Sequence, residues 1–379
     1  MKAVFFETAP WERRYLARAL KGTHVTPVFV AEPLTERRLG DARGAAVLSV
    51  FIYSRLTASV VKRLRAARLI ATRSTGFDHI DLAACARQKV LVANVPAYGE
   101  NTVAEHTFAL ILSLSRNLHR AYVRTARGDF SLTGLQGFDL KGKTLGVVGA
   151  GRIGMHVIKM AKGFDMRVLA YDTRKDPFLS EVLGFRYAPL NELLEESDIV
   201  SLHTPYSQAT HHLMNRETFG RMKRGALLIN TARGGLVDTD ALVWALDQGV
   251  VGGAGLDVLE GEDLVKEERQ LLETDVSKER LITALKNNIL LHRENVVITP
   301  HIAFDSREAL QRILDTTVAN IAAFLGGSPL NLVTKTGEAL QRVRKRRGDE
   351  DEVRSNARGG GGRGDGRGRI GARGAGPFR

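Results

Sequence analysis

The run Thr144–Gly154, TLGVVGAGRIG, constrains the fold of this chain more than any other stretch. An apolar segment leads directly into G-A-G-R-I-G, and a helical pattern follows over Arg152–Lys162. Asp172 then closes the next strand-like segment, Arg167–Tyr171, 18 residues after Gly154. In a chain with 38 glycines a bare G-x-G-x-x-G is weak, and the strand before, the helix after and the acid beyond give it meaning. Gly149 suits a tight turn, Gly151 lets the backbone approach a pyrophosphate, and Gly154 lets the helix pack closely. The helix N-terminus offers N–H groups to the anion. Asp172 would accept from an adenosine ribose and repel a 2′-phosphate, which favours NAD, while Arg174 and Lys175 just behind it leave NADP open. The bland alternative is a helix–strand turn with no ligand.

Strand-like and helical segments alternate on both sides of this turn. Upstream, Ala3–Phe6, Val25–Val30, Ala45–Val50, Leu69–Thr72 and Val90–Ala93 are short and apolar, with helical patterns such as Trp11–Leu20 and Thr57–Ala67 between them. Downstream, six strand candidates run from Thr144–Val148 to Val296–Thr299, with helices including Asp240–Gln248 and a long one within Lys266–Leu291. Strands alternating with helices predict parallel sheets, and six with crossovers make a complete doubly wound domain. Asn101 opens a long helical pattern, NTVAEHTFALILSLSRNLHRAYVRTA, with a wide apolar face, suited to joining two domains or packing on its counterpart in a dimer.

Length and charge refine this picture. A chain of 379 residues is long enough for two domains. The net charge of +13 first suggests an anionic partner, but the residues from Lys335 hold 13 Lys and Arg against 6 Asp and Glu, so more than half of the excess sits there. That segment is rich in glycine and arginine and is expected to be disordered. R-G-G-type runs bind RNA and other polyanions. With no aromatic interleaved before Phe378, a solvated extension is the favoured reading. The single cysteine, Cys85, excludes an internal disulfide framework and suits a reducing compartment. The N-terminal apolar run is too short for a signal peptide, and no segment suits a membrane span, so a cytoplasmic protein is expected.

In an open parallel sheet, ligands bind outside the carboxyl ends of the strands. The ends here carry Asp172, His203, Thr204, Pro205, Asn230, Thr231, Ala232, Arg233, Asp257 and His301. Arg233 can clamp a carboxylate bidentately and hold the neighbouring carbonyl in place. His301 can protonate an oxygen that gains negative charge as hydride reaches carbon. Glu262, in LDVLEGE, can hold His301 in the required tautomer, and Asp257 can accept from a nicotinamide carboxamide. Each has a plain structural reading: a solvated arginine, or a histidine capping the next helix. Their shared sheet edge is what argues for a site.

The stretches STGFDHID, NVPAYGENTVAEHTFALIL, GVVGAGRIG, LINTARGGLVDTDAL, GAGLDVLEGE and VITPHIAF resemble the D-2-hydroxyacid dehydrogenase family over nearly all of residues 1–334. The likeness is closest to its D-lactate dehydrogenase branch, through AEHTFALIL and the insertion between Glu262 and Pro300. The resemblance implies two doubly wound domains and a disordered tail. A flavodoxin-like substrate domain covers 1–100 and is completed by 301–334, a Rossmann NAD domain covers 101–300, and the tail covers 335–379. It places Arg233, Glu262 and His301 on the family's substrate-binding and acid/base residues. Arg152, Ile153, Asp172, Thr204, Pro205, Thr210, Thr231, Ala232 and Asp257 fall on NAD contacts. Thr75, Gly76 and Tyr98 fall where the first domain meets substrate, with Phe51 and Phe304 lining the pocket. It further implies cleft closure on binding and a dimer through the Asn101 helix. One departure is Asp263, which stands where many members have proline after E-x-E.

The expected activity is transfer of hydride between NADH and a small 2-keto acid, pyruvate first. The alternatives are a hydroxypyruvate, glyoxylate or phosphoglycerate-type dehydrogenase, and an NAD-sensing, corepressor-like regulator. No Cys/His cluster has zinc spacing, and the adjacent His211 and His212 are wrongly spaced for chelation from one helix face. His106 and His119, on the long helix, read as interface or surface residues.

Overall fold

A computed structural model of the chain describes residues 1–262 and 278–334. Asp263, the start of the helix expected within Lys266–Leu291 and the basic tail from Lys335 lie outside the described residues. The chain divides into two compact units, Met1–Pro96 with the segment from Ile313 onward, and Ala97–Arg312. His301 and Phe304 therefore belong to the second unit, and the chain returns to the first inside the helix Arg307–Leu325.

The first unit holds β1 (Lys2–Phe5), β2 (Thr26–Phe29), β3 (Val47–Val50), β4 (Leu69–Thr72) and β5 (Leu91–Ala93). They pair in parallel in the order β2-β1-β3-β4-β5, the flavodoxin-like order. Successive side chains point to opposite faces. Val4, Leu48, Val50, Ile70 and Val92 enter one core, while Ala3, Phe5, Val47, Leu69 and Ala71 enter the other, where Leu314 and Ile321 of the last helix cover them. Burial on both faces explains why β1, β3, β4 and β5 read as continuous apolar runs instead of alternating ones, whereas the edge strand β2 is partly exposed.

The second unit holds β6 (Thr144–Val148), β7 (Arg167–Tyr171), β8 (Arg186–Tyr187), β9 (Ile199–Leu202), β10 (Ala226–Asn230), β11 (Val251–Leu256) and β12 (Val296–Ile298). All pair in parallel in the order β12-β11-β10-β9-β6-β7-β8, so the direction of winding reverses between β6 and β9. Sequence patterning missed β8, whose two residues are too few to show alternation. The register has a direct consequence for function. Tyr171, Val148, Leu202, Asn230, Leu256 and Ile298 stand in one row across the sheet. The residues that follow them, Asp172, Gly149, His203, Thr231, Asp257 and Thr299, are thus set along one edge.

The helical pattern from Asn101 is two helices, Glu100–Ser115 and Leu118–Ala126, and not one. Asn117 breaks it with a left-handed backbone, φ +50°. Its side-chain amide donates to Leu135 O at 3.4 Å and Gln136 O at 3.1 Å, holding the loop that follows the second helix. Asparagine tolerates this conformation because its short polar side chain bonds locally. Among the described residues no helix is long and apolar enough to cross a membrane.

Candidate active site

The phosphate-binding turn fits a dinucleotide on its own geometry. Gly149 has φ +98°, and a Cβ there would meet His203 C at 2.7 Å and Thr204 N at 2.8 Å, so only glycine can turn this tightly against the neighbouring strand end. A Cβ on Gly154 would meet Gly149 O at 2.1 Å, whereas one on Gly151 would meet nothing within 4 Å. The turn is thus packed on its protein side and open above Gly151, where a pyrophosphate would meet the start of the helix Arg152–Gly163. Asp172 Oδ2 accepts from Ala150 N at 2.8 Å and Oδ1 from Arg174 N at 2.8 Å, which fixes the carboxylate beside this turn. Arg152 pairs with Glu100 at 3.5 Å.

The other expected cofactor residues lie in braced turns. Thr210 Oγ1 donates to Pro205 O at 2.8 Å and ties off the loop that follows Thr204. Thr107 Oγ1 donates to Val103 O at 2.9 Å, so at 3.0 Å from Thr231 Oγ1 it accepts that residue's proton. His203 Nε2 lies 2.8 Å from Ser201 Oγ, and burial lowers the imidazole's pKa to about 3. The Asn230 side chain spans the next turn, accepting from Ala232 N at 3.0 Å and donating to Arg233 O at 2.9 Å. Arg233 Nη1 donates to Ala232 O at 2.7 Å. Gly234 is forced by close approach, since a Cβ there would meet the Leu259 carbonyl at 2.1 Å. That contact brings the Arg233 turn against the loop leading to Glu262.

His301 Nδ1 lies 2.8 Å from Glu262 Oε1, with both side chains partly buried. The carboxylate can only accept, so Nδ1 carries a proton. His301 also has a left-handed backbone, φ +58°. A non-glycine residue in this region costs about 1–3 kcal/mol and persists only where its surroundings impose it. Asp257, 1% exposed, does the imposing. Its Oδ1 accepts from Thr299 Oγ1 at 2.6 Å and Ile302 N at 2.9 Å, and its Oδ2 from Ala303 N at 2.9 Å, so donors on both sides of His301 converge on one carboxylate. Oδ2 takes a single donor, so the carboxylate retains acceptor capacity on that oxygen.

Sequence reasoning missed His106. Its Nε2 lies 3.0 Å from Thr299 Oγ1, whose own proton goes to Asp257, so Nε2–H donates and extends the chain that holds the His301 turn. His106 is therefore a support of this turn and not a surface residue. The available signal was spacing: it is on the same helix face as Val103 and Leu110, which are buried. The two acids of LDVLEGE also part company. Glu260 Oε1 meets His212 Nε2 at 2.6 Å, and only Glu262 meets His301.

Tyr98 and Phe304 meet ring edge to face with centroids 6.4 Å apart, and Phe304 lies 6.5 Å from the His301 ring. In the first unit, Thr75 Oγ1 donates to Val95 O at 2.7 Å and Ser74 Oγ to Gly76 O at 2.6 Å, which stiffens the turn after β4. Phe51 is held from beneath. Its N–H donates to Glu7 Oε2 at 2.8 Å, and the buried Arg73 guanidinium lies 5.8 Å from its ring centroid.

Comparison with known proteins gives this arrangement a class. Residues 108–303 match the model of the D-isomer specific 2-hydroxyacid dehydrogenase NAD-binding domain. A 2-hydroxyacid dehydrogenase homolog of Haemophilus influenzae is 37% identical over 332 residues, covering 86% of this chain and 97% of its own. D-lactate dehydrogenase of Escherichia coli is 36% identical over 325 residues, covering 85% and 96%. The solved structure of D-lactate dehydrogenase from Aquifex aeolicus, complexed with NAD and lactic acid, superposes with a TM-score of 0.80 at 38% identity, covering 88% of this chain and all of that one. The protein is an NAD-dependent oxidoreductase. It belongs to the D-2-hydroxyacid dehydrogenase family, close to its D-lactate dehydrogenases.

Proposed function

We propose that the chain reduces pyruvate to D-lactate, with His301 and Glu262 as the acid/base pair and Arg233 as the carboxylate clamp. The observation that carries this reading is the 2.8 Å contact of Glu262 with His301, on a positive-φ turn tied down by Asp257. NADH, when bound, supplies the hydride that arrives at C2 of the keto acid. Arg233 holds the substrate carboxylate through two parallel N–H donors and so fixes the carbonyl's orientation. His301 spends Nδ1–H on Glu262 and delivers the Nε2 proton to the carbonyl oxygen as that oxygen gains charge. In the reverse direction neutral Nε2 takes the hydroxyl proton, and Glu262 stabilises the imidazolium that results.

The choice of pyruvate rests on two supports. Relatives and a lactate-bound neighbour carry the name D-lactate dehydrogenase. Beside His301 stand the rings of Phe304 and Tyr98, which suit a methyl group and offer no cation to a phosphate. Phe51, Thr75 and Gly76 are the residues of the first unit that we assign to substrate. To the cofactor we assign Gly149, Gly151, Ile153, Gly154 and Asp172, together with the 204–210 and 231–232 turns. We also infer a homodimer through the helix Leu118–Ala126 and the stretch after it, which exposes Leu118, Tyr122, Val123, Phe130 and Leu132.

A panel of 2-keto acids assayed with NADH tests the reading. Pyruvate should give the highest kcat/KM, and His301→Ala should lose roughly 10²–10⁴-fold in kcat while retaining NADH binding. Full turnover by His301→Ala would sink the assignment of roles. A phosphorylated or bulky keto acid turned over far better than pyruvate would sink the substrate.

A further inference from the structure

We propose that the adenosine end of the cofactor site also accepts a 2′-phosphate, held by Arg174 and Lys175, so that the protein binds NADPH as well as NADH. The proposal rests on the assignment of the Gly149–Gly154 turn to a dinucleotide. A pocket of about 930 Å³ opens beside this turn, lined on one side by Gly151 and Asp172 and on the other by Lys159, Arg174 and Lys175.

The charges in this pocket are unequally satisfied. Asp172 has given both oxygens to backbone N–H groups, of Ala150 and of Arg174 itself. Asp176 Oδ1 caps the next helix, accepting from Leu179 N at 3.1 Å. Glu100 takes Arg152. The three acids that line the pocket are thus occupied, and among the described residues Lys159, Arg174 and Lys175 form no ion pair. Three cations are left lining one opening, two of them two and three positions after the acid that marks the ribose.

A 2′-phosphate is a dianion with oxygen acceptors, and guanidinium and ammonium groups recognise it through short charge-assisted bonds. An arginine close behind the ribose-binding acid is how a doubly wound domain accommodates that phosphate. Asp172 works against this by like-charge repulsion. Its two backbone donors offset part of the charge, and Arg174 and Lys175 outnumber what remains. The expected outcome is dual acceptance with NADH preferred, not a switch to NADPH.

The test is binding by the full-length chain, independent of turnover. NADH and NADPH are titrated by their own fluorescence, and the fragments 5′-AMP and 2′,5′-ADP by calorimetry, for the parent and for Arg174→Ala/Lys175→Ala. In low salt NADPH should bind within about tenfold of NADH, and 2′,5′-ADP within about tenfold of 5′-AMP. Added salt should weaken NADPH more steeply than NADH. The double substitution should lower the NADPH-to-NADH affinity ratio at least tenfold, and thermal melts report whether the variant is folded. NADH binding with no measurable NADPH binding overturns the proposal, as does a ratio unchanged by the double substitution. Failure to bind either nucleotide would overturn the dinucleotide assignment beneath it.

Discussion

Asp257→Asn changes one atom of a buried carboxylate and tests how the His301 turn is held. The parent side chain accepts from Thr299 Oγ1, Ile302 N and Ala303 N at 2.6–2.9 Å. An asparagine keeps a single acceptor oxygen. In its better orientation that oxygen faces Thr299 and Ile302, and its own NH2 confronts the buried Ala303 N–H. Leaving that donor unpaired costs about 1–3 kcal/mol, and the two surviving bonds each lose about 1 kcal/mol of charge assistance. The expected destabilisation of the second unit is therefore about 3–5 kcal/mol. Part of it will be relieved if His301 leaves its φ of +58°, and that relaxation parts Nδ1 from Glu262, so kcat/KM should fall as well. The chain has two tryptophans, Trp11 in the first unit and Trp244 packed against the core of the second. In a Trp11→Phe background, urea unfolding followed by tryptophan fluorescence reports the second unit alone. A destabilisation below about 0.5 kcal/mol, with kcat/KM unchanged, would refute the claim that Asp257 positions the turn.

Other consequences can be checked directly. Glu262→Gln keeps a hydrogen bond to Nδ1 but removes the charge that favours the imidazolium, so kcat should fall roughly tenfold or more with pyruvate KM little changed; an equal rise in KM would speak for a binding role instead. Because burial holds His203 near a pKa of about 3, the unfolded chain takes up a proton first as pH falls below 6.5, and stability is lost from there down to about pH 3. Relative to pH 7, this one group should cost about 1–2 kcal/mol at pH 5, a loss that His203→Gln should lack in pH-dependent unfolding. Tyr122→Glu with Phe130→Glu should convert a dimer to a monomer in light scattering, and an unaltered mass would exclude this surface as the interface.

Several parts of this molecule were legible along the chain because their physics is local. The glycine turn, its flanking strand and its helix lie within about one supersecondary unit, and Gly154 answers to Gly149 five residues back, although the clash that also demands glycine at 149 comes from the His203–Thr204 strand end. All the strands but the two-residue β8 announced themselves, most of them because sheets buried on both faces demand unbroken apolar runs. The break at Asn117 was local too, yet the helical pattern ran across it, because the left-handed turn there is held by carbonyls 18 and 19 residues further on.

By itself the sequence determined two doubly wound domains, a dinucleotide turn and a short set of polar residues at strand ends. Only the tertiary structure decided how those polar residues are used. Glu260 and Glu262 are two positions apart, and nothing local tells which one meets His301. The pairing depends on β11 and β12 lying side by side with Leu256 opposite Ile298, which sets Asp257 beside Thr299 and brings a chain segment 39 residues away to Glu262. The same register made Asp257 the anchor of the His301 turn, and drew in His106 from a helix nearly 200 residues away in sequence. Hydrogen bonds between side chains are short-ranged and directional, so their partners are fixed only when strand pairing has fixed their positions.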